Sequence, residues 1–419
     1  MTRYNSNIFQ GRLLTLMLTL FVGCLLAGAC KKDNVSGPPI IEKVSLLDSS
    51  KVDSAFTKAL PFTQLLITGK NLDGITSIFF NEVSAYFNPT YNTSTHLIVN
   101  IPANAPTEAT DPKVPNTIRI VTTHGQTSYA FVIDIPPPSI ESVSNENALA
   151  GDSVIVWGSS LWLIEKITLP GNREIQDFNA NAAGTRVAFV MPSLGTDTGR
   201  LVIKGKYGTA MSDGPLNDHQ SGDVISNLTA SGEAGENGVF NWAWWGANRT
   251  NDAGMFPGTR GYYLQNIFGG VGANDGGWWN GNRSGNFNDV TLFTAAVMSE
   301  SAANYALKFE INTKEDWKAG ICVIRLKGDG GFAYRFMPWQ STSDKVFGTG
   351  NKWQTITIPI SNFKKADSGV EGTGASAAVM GDVLGAGGSV SFGYRFITES
   401  DPVEVFNAAF DNFRIVKIK

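Results

Sequence analysis

One motif occurs twice in this chain, 99 residues apart: Pro38-Pro-Ile-Ile-Glu-Lys-Val-Ser45 returns as Pro137-Pro-Ser-Ile-Glu-Ser-Val-Ser144. The landmarks behind each copy recur in the same order. A strand-like run closes on glycine (Leu65-Leu-Ile-Thr-Gly69, then Val154-Ile-Val-Trp-Gly158) and a second ends at proline (Leu97–Pro102, then Val187–Pro192). A hairpin-like pair finishes each unit, at Ile118–Gly125 and at Leu201–Gly208. Short β-rich runs bounded by turn residues at this spacing predict two tandem β-sandwiches. The 45 glycines and 18 prolines, with only 17% charged residues, suit strands and turns and leave little for long helices. At 419 residues the chain is too long for one core, so further domains must share it.

The N-terminus predicts the compartment. Arg3 and Arg12 precede an apolar run from Leu13 to Ala29 that ends in small residues before Cys30, Lys31 and Lys32. That is the pattern of a signal peptide over 1–29, too short for a confident membrane span. Small residues ahead of a cysteine resemble the bacterial lipobox, which implies that Cys30 is acylated and begins the mature chain; Cys24 fits the pattern less well. Residues 30–37 then read as a tether. With Cys30 lipidated, Cys322 has no remaining partner, and its apolar surroundings in Ile321–Leu326 predict a buried strand thiol.

The repeats read as domains over 38–135 and 136–216. Pro136-Pro137-Pro138 lacks flexible Gly/Ser character and predicts a restricted angle between them. The polar stretch Asp213–Gly222 reads as the next linker, and residues 217–419 as a larger β-sandwich. In it Tyr305–Ile311 alternates, placing Tyr305, Leu307, Phe309 and Ile311 on a core face and Ala306, Lys308 and Glu310 on the other face of a half-buried sheet. Eight of the ten tryptophans lie beyond residue 240. Trp242, Trp244 and Trp245 crowd Asn241–Arg249, and Trp278-Trp279 sit between glycines and asparagines.

Tryptophan among Gly and Asn is poor core material and a good stacking surface. A pyranose offers an apolar C–H face to such a plane and a rim of hydroxyls to Asn, Arg and carboxylates. Parity on an extended segment puts Trp242 and Trp244 on one side and Trp245 on the other. Trp278 and Trp279 are the primary glycan-contact candidates, and Trp245 is added to them by the family resemblance described next. Trp244, Tyr262, Tyr263, Asn280 and Arg283 support them, and Arg260, Asn282, Tyr334 and Trp339 are weaker. Trp317 and Trp353 read as core or edge-packing residues.

The Pro-x-I-x-x-V-S openings, Thr68-Gly-Lys-Asn-Leu72 with its variant Trp157-Gly-Ser-Ser-Leu161, and the V-x-T-x-x-G closing strand resemble IPT/TIG immunoglobulin-like domains. Trp353-x-x-I-x-I-P-I-x-x-Phe363 and Phe410-Asp-Asn-Phe-Arg-Ile415 resemble jelly-roll carbohydrate-binding modules. The fold class is therefore all-β, with two immunoglobulin-like sandwiches ahead of a larger jelly-roll-like one. A lipoprotein so organised resembles the surface glycan-binding proteins of type B in Sus-like systems of Bacteroidetes, whose last domain binds xyloglucan. In that family one Trp precedes an adjacent aromatic pair by some 33 residues, and Trp245 stands 33 and 34 residues before Trp278 and Trp279. The resemblance implies a polysaccharide ligand of the β-glucan or xyloglucan kind and a lipid anchor in the outer membrane with surface exposure. It also implies a TonB-dependent transporter and a companion glycan-binding lipoprotein as partners.

Other classes fare worse. The formal charge is −4, with no concentrated basic face for nucleic acid. A glycanase or lyase on the same fold is the main alternative, and an adhesin or structural surface protein the second. Retaining hydrolysis needs two carboxylates about 5 Å apart, whereas Glu310 stands alone in its strand and Glu315 and Asp316 are adjacent. His96, His124 and His219 all precede the strands of the last domain, which removes a His-based triad or metal site there. No catalytic residue, metal or cofactor is expected.

Overall fold

The computed structural model describes residues 37–48, 54–218, 223–226, 228, 240–241, 248–259, 261–277, 281–287, 289–328 and 331–419. The leader and residues 30–36 of the tether, Cys30 included, lie outside these residues, as do Trp242, Trp244, Trp245, Arg260, Trp278, Trp279 and Asn280. No helix among the described residues is long and apolar enough to cross a membrane. The fold is all-β, and the chain divides into two compact units at Pro136/Pro137.

In the first unit, strands Ile40–Leu46, Gln64–Lys70 and His96–Asn100 form one sheet, and Ile75–Phe80, Thr117–Thr122 and Gly125–Ala130 belong to another. The two close on a core of Val44, Leu65, Ile67, Ile78, Phe80, Leu97, Ile118 and Ile120. The second immunoglobulin-like domain repeats this plan, with Ser139–Val143, Ser153–Ser159 and Arg186–Val190 facing Ile164–Leu169, Gly199–Gly205 and Gly208–Leu216. The repeated glycines have a steric cause. A Cβ on Gly69 would lie 1.9 Å from the Ile40 carbonyl oxygen, and one on Gly158 would lie 1.9 Å from that of Ser139. Both glycines sit where the opening strand bulges against its neighbour. Asn71 and Ser160 then turn through positive φ, and Leu72 and Leu161 drop fully into the cores.

The C-terminal domain is a sandwich of two antiparallel sheets. One orders Asn248–Thr250, Tyr263–Val271, Val403–Lys417, Tyr305–Thr313 and Gln354–Pro359, with Asp223–Ser226 also paired to 403–417. The other orders Phe240–Asn241, Ser284–Phe287, Gly393–Ile397, Ile321–Arg325 and Ala333–Phe336. Their inner faces enclose an aromatic core in which Trp317, 1% exposed, packs on Phe336, Phe396 and Phe406. Cys322 lies in it, and burial pushes its thiol well above the ordinary range.

Two expectations need correction. The linker assigned from Asp213 begins too early, because strand Gly208–Leu216 runs through 213–216 and Asn217 is buried after it. The alternation of 305–311 also does not make a half-exposed sheet: all nine residues of Tyr305–Thr313 are buried. The second immunoglobulin-like domain covers the polar face. Glu146 meets Lys308, and its other oxygen accepts from Arg414 at 2.8 Å. Arg414 also donates to both Glu310 oxygens at 2.9 and 3.0 Å. The Thr355 hydroxyl accepts from the Glu146 N–H at 2.8 Å, and the Thr355 N–H donates to the Ser144 carbonyl at 2.8 Å. Burial pushes the Glu146 carboxyl up, but Lys308 and Arg414 outweigh it and hold it below its ordinary value. Two cations and two carboxylates thus close on each other away from water, so residues 137–216 and the C-terminal domain form one unit.

Candidate functional site: the arginine sheet and its edge

The hydrogen bonds from the second domain described above fall on the 305–313/403–417 sheet. The sheet containing Gly393–Ile397 forms the opposite face of the sandwich. Strand parity turns Tyr394, Phe396, Cys322 and Ile324 into the core, so Arg395, Arg325, Arg335, Asn286 and Ser284 occupy the outward register. Glu371, from a segment lying over this face, accepts from Arg325 and from Arg395, each at 2.7 Å. Arg335 pairs with Glu399. Burial and the charge of Arg325 draw the Arg395 guanidinium below its ordinary value, with Glu371 opposing them. Between this cluster, Asn286, Gly393 and Ser391 lies a cavity of about 290 Å³.

The described strand ends show where the two connections attach. Asn241 closes its strand opposite Asn286, and Ser284 opens the antiparallel neighbour opposite Arg395. The chain therefore leaves the first strand towards 242 and enters the second from 283 at the same end of the pair. The tryptophans carried by those connections are outside the described residues, but their described anchors are ordered by several bonds. The Asp275 carboxylate accepts from the Gly277 N–H, and its backbone is tied to Thr398 in both directions, at 2.9 and 3.0 Å. Arg283, 3% exposed, donates to the Gly277 carbonyl and to Asp275. The Gly277 N–H holds the Asp275 carboxyl below its ordinary value; desolvation opposes it, and Arg283 adds a smaller lowering. Asn266, fully buried between the sheets, donates to the Asn282 carbonyl at 2.6 Å and accepts from the Tyr394 hydroxyl at 2.8 Å.

Several candidates move away from the ligand. Tyr263 is fully buried against Phe256 and Trp353 on the other sheet, and its hydroxyl donates to the Asp252 carbonyl at 2.8 Å. Burial, with Asp252 nearby, pushes its phenol up to about 12. It supports the sandwich and does not face solvent. Arg283 holds the loop instead of offering a free guanidinium to a sugar. Tyr262 is half-buried against the main core, with the Arg249 guanidinium 4.5 Å above its ring. Tyr334 points inward onto Phe363, and the Trp339 indole donates to the Gly320 carbonyl at 3.1 Å while packing on the core. The Arg325–Glu371–Arg395 cluster, Asp275, Thr398 and Asn266 were missed. Asn266 was detectable as an amide inside the apolar strand Tyr263–Val271, whereas Glu371 reaches the sheet from a loop with no motif.

Comparison with known proteins follows this geometry. Residues 223–417 match the family model of the surface glycan-binding protein B xyloglucan-binding domain. The crystal structure of the surface glycan-binding protein B from Prevotella bryantii superposes with a TM-score of 0.66 at 22% identity, covering 92% of this chain and 100% of that one. The C-terminal domain is thus similar to the xyloglucan-binding domains of surface glycan-binding proteins of type B. An IPT/TIG domain-containing protein of Bacteroides ovatus is 26% identical over 198 residues, 44% of this chain, and the match spans 40% of that relative's length. A further type B protein, from a complex xyloglucan utilization locus in Bacteroides uniformis, aligns over 91% of this chain and 99% of its own at 20% identity, with a TM-score of 0.49.

Proposed function

We propose that this chain is a non-catalytic glycan-binding protein that captures a β-glucan of the xyloglucan kind. Trp245, Trp278 and Trp279 stack on the sugar rings at the edge of the arginine sheet. One observation carries the reading: Asn241, just before the first tryptophan group, and Ser284, shortly after the second, lie at the same end of two paired strands of the arginine sheet. The match of 223–417 to a xyloglucan-binding domain model points to the same ligand. Arg395, Arg325 and Glu371 then offer paired donors and acceptors to hydroxyls that each donate and accept. Residues 37–217 act as spacers that present this face away from the membrane. Cys30 supplies the lipid anchor in the outer membrane, and a TonB-dependent transporter with a companion glycan-binding lipoprotein receives the captured chain.

The glycanase alternative needs a pair of carboxylates open to substrate, and the strand carboxylate Glu310 is buried and committed to Arg414 and Thr355. Affinity electrophoresis of residues 31–419 in gels containing xyloglucan tests the proposal. Retardation without release of reducing sugar supports it. Release of sugar, or mobility unchanged by any β-glucan, contradicts it.

A further inference from the structure

We infer that the first immunoglobulin-like domain carries a second, weaker glycan-stacking surface formed by Phe62 and Tyr86. The inference rests on the glycan-binding reading above. Leu60-Pro61-Phe62-Thr63 is a turn closed by the Thr63 N–H donating to the Leu60 carbonyl at 3.3 Å. Pro at the second position and positive φ at the third define a type II turn, whose third position favours Gly or Asn. Here that residue is Phe62, at φ 65° and 75% exposed. A bulky ring is thus held in a strained backbone region and gains almost no burial from it. Strain retained without a packing return points to a use for the ring.

Tyr86 is its counterpart. Phe87 bridges Val99 on the outer edge of strand His96–Asn100 and packs into the core. Tyr86, the preceding residue, therefore faces outward beside Asn100, and it is 85% exposed. On the other side of the same strand end, the Phe62 N–H donates to the Ile101 carbonyl at 3.0 Å. Their backbones lie two strand spacings apart across the sheet, about 10 Å, with Phe62 two residues further along the strand direction. Between them lie the outward amides of Gln64 and Asn100, opposite each other in register. Separated aromatic planes with amides between them suit the C–H faces and hydroxyls of successive sugars. Leu60, at the start of the turn, adds one exposed aliphatic edge. A polymer of repeating sugars offers this chemistry to more than one surface of a protein, and a second contact multiplies retention without changing the first.

Phe62→Gly tests this without threatening the fold, because glycine accepts the turn's φ. Phe62→Gly with Tyr86→Ser should keep or raise the thermal midpoint and leave affinity for a short xyloglucan oligosaccharide unchanged. Retardation by xyloglucan polymer should fall by about tenfold or more. Polymer retardation equal to wild type overturns the inference. So does the same result accompanied by lost glycan uptake in cells, which would assign the surface to a protein partner. If the unsubstituted chain ignores both oligosaccharide and polymer, the underlying glycan reading fails instead. If it binds both and only the polymer arm is insensitive to the double substitution, this inference alone fails.

Discussion

The two outer faces of the C-terminal sandwich look alike in sequence and differ in the folded chain. Lys308, Glu310 and Arg414 alternate with core residues, as do Arg325, Arg335 and Arg395. The first set closes with Glu146 of the preceding domain into a buried, charge-balanced group. The second sets three guanidiniums against Glu371 and Glu399 and borders a cavity. Polar alternation therefore does not reveal whether a face is wet. What decides it is what packs over the face: a whole domain bearing Glu146 over the first, a loop bearing Glu371 over the second. The docked face is closed by the preceding domain, and the other is the face proposed for the ligand.

The comparison breaks first at Glu146. Glu146→Gln strands Lys308 in a buried site, and the unit 137–419 should lose about 3–5 kcal/mol in denaturant unfolding. Glu371→Gln, on a more accessible face, should cost about 1–2 kcal/mol. Equal losses would erase the distinction between the faces. Next comes Arg283→Ala, which unties Gly277 and leaves Asp275 without its cation. We expect a loss of about 2 kcal/mol, with weaker glycan retardation because the 278–280 connection loses its anchor. Unchanged retardation would remove Arg283 from the positioning role.

Acid gives a smaller, graded effect. Asp275 and Glu146 are both held below their ordinary values of 3.8 and 4.5. A depressed carboxyl contributes stability that is present above the ordinary value and disappears as pH falls through the folded one. Glycan retardation and the unfolding midpoint should therefore stay flat from about pH 8 to 5 and fall only under stronger acid. A decline centred near pH 6 would implicate a group absent from this scheme. The smallest effect belongs to Tyr263→Phe. Losing the bond to the Asp252 carbonyl should cost about 1 kcal/mol and leave retardation alone. Lost retardation would return Tyr263 to the ligand.

The fold was legible where local rules were strong. The repeat, the glycines at 69 and 158 and the alternation in 305–311 all follow from backbone sterics and side-chain parity. The buried state of Lys308 and Glu310 was not legible, because Glu146 lies over 160 residues away in sequence. The site was half legible. Trp and Asn composition marked the connections, but parity cannot place Tyr263 on one sheet and Arg283 beneath a loop. The ionic lattice around Glu371 depends on tertiary contacts alone.

The central proposal is that Trp278 and Trp279 bind the glycan. Titrating xyloglucan oligosaccharide into residues 31–419 by calorimetry, with and without Trp278→Ala and Trp279→Ala, tests it most directly. We predict enthalpy-driven binding with Kd of about 10⁻⁵ to 10⁻³ M, since a few stacked rings bury little area. In the double variant, heat should vanish while the β-sheet circular dichroism and unfolding midpoint remain. Binding that survives the two substitutions in a folded protein would contradict the account.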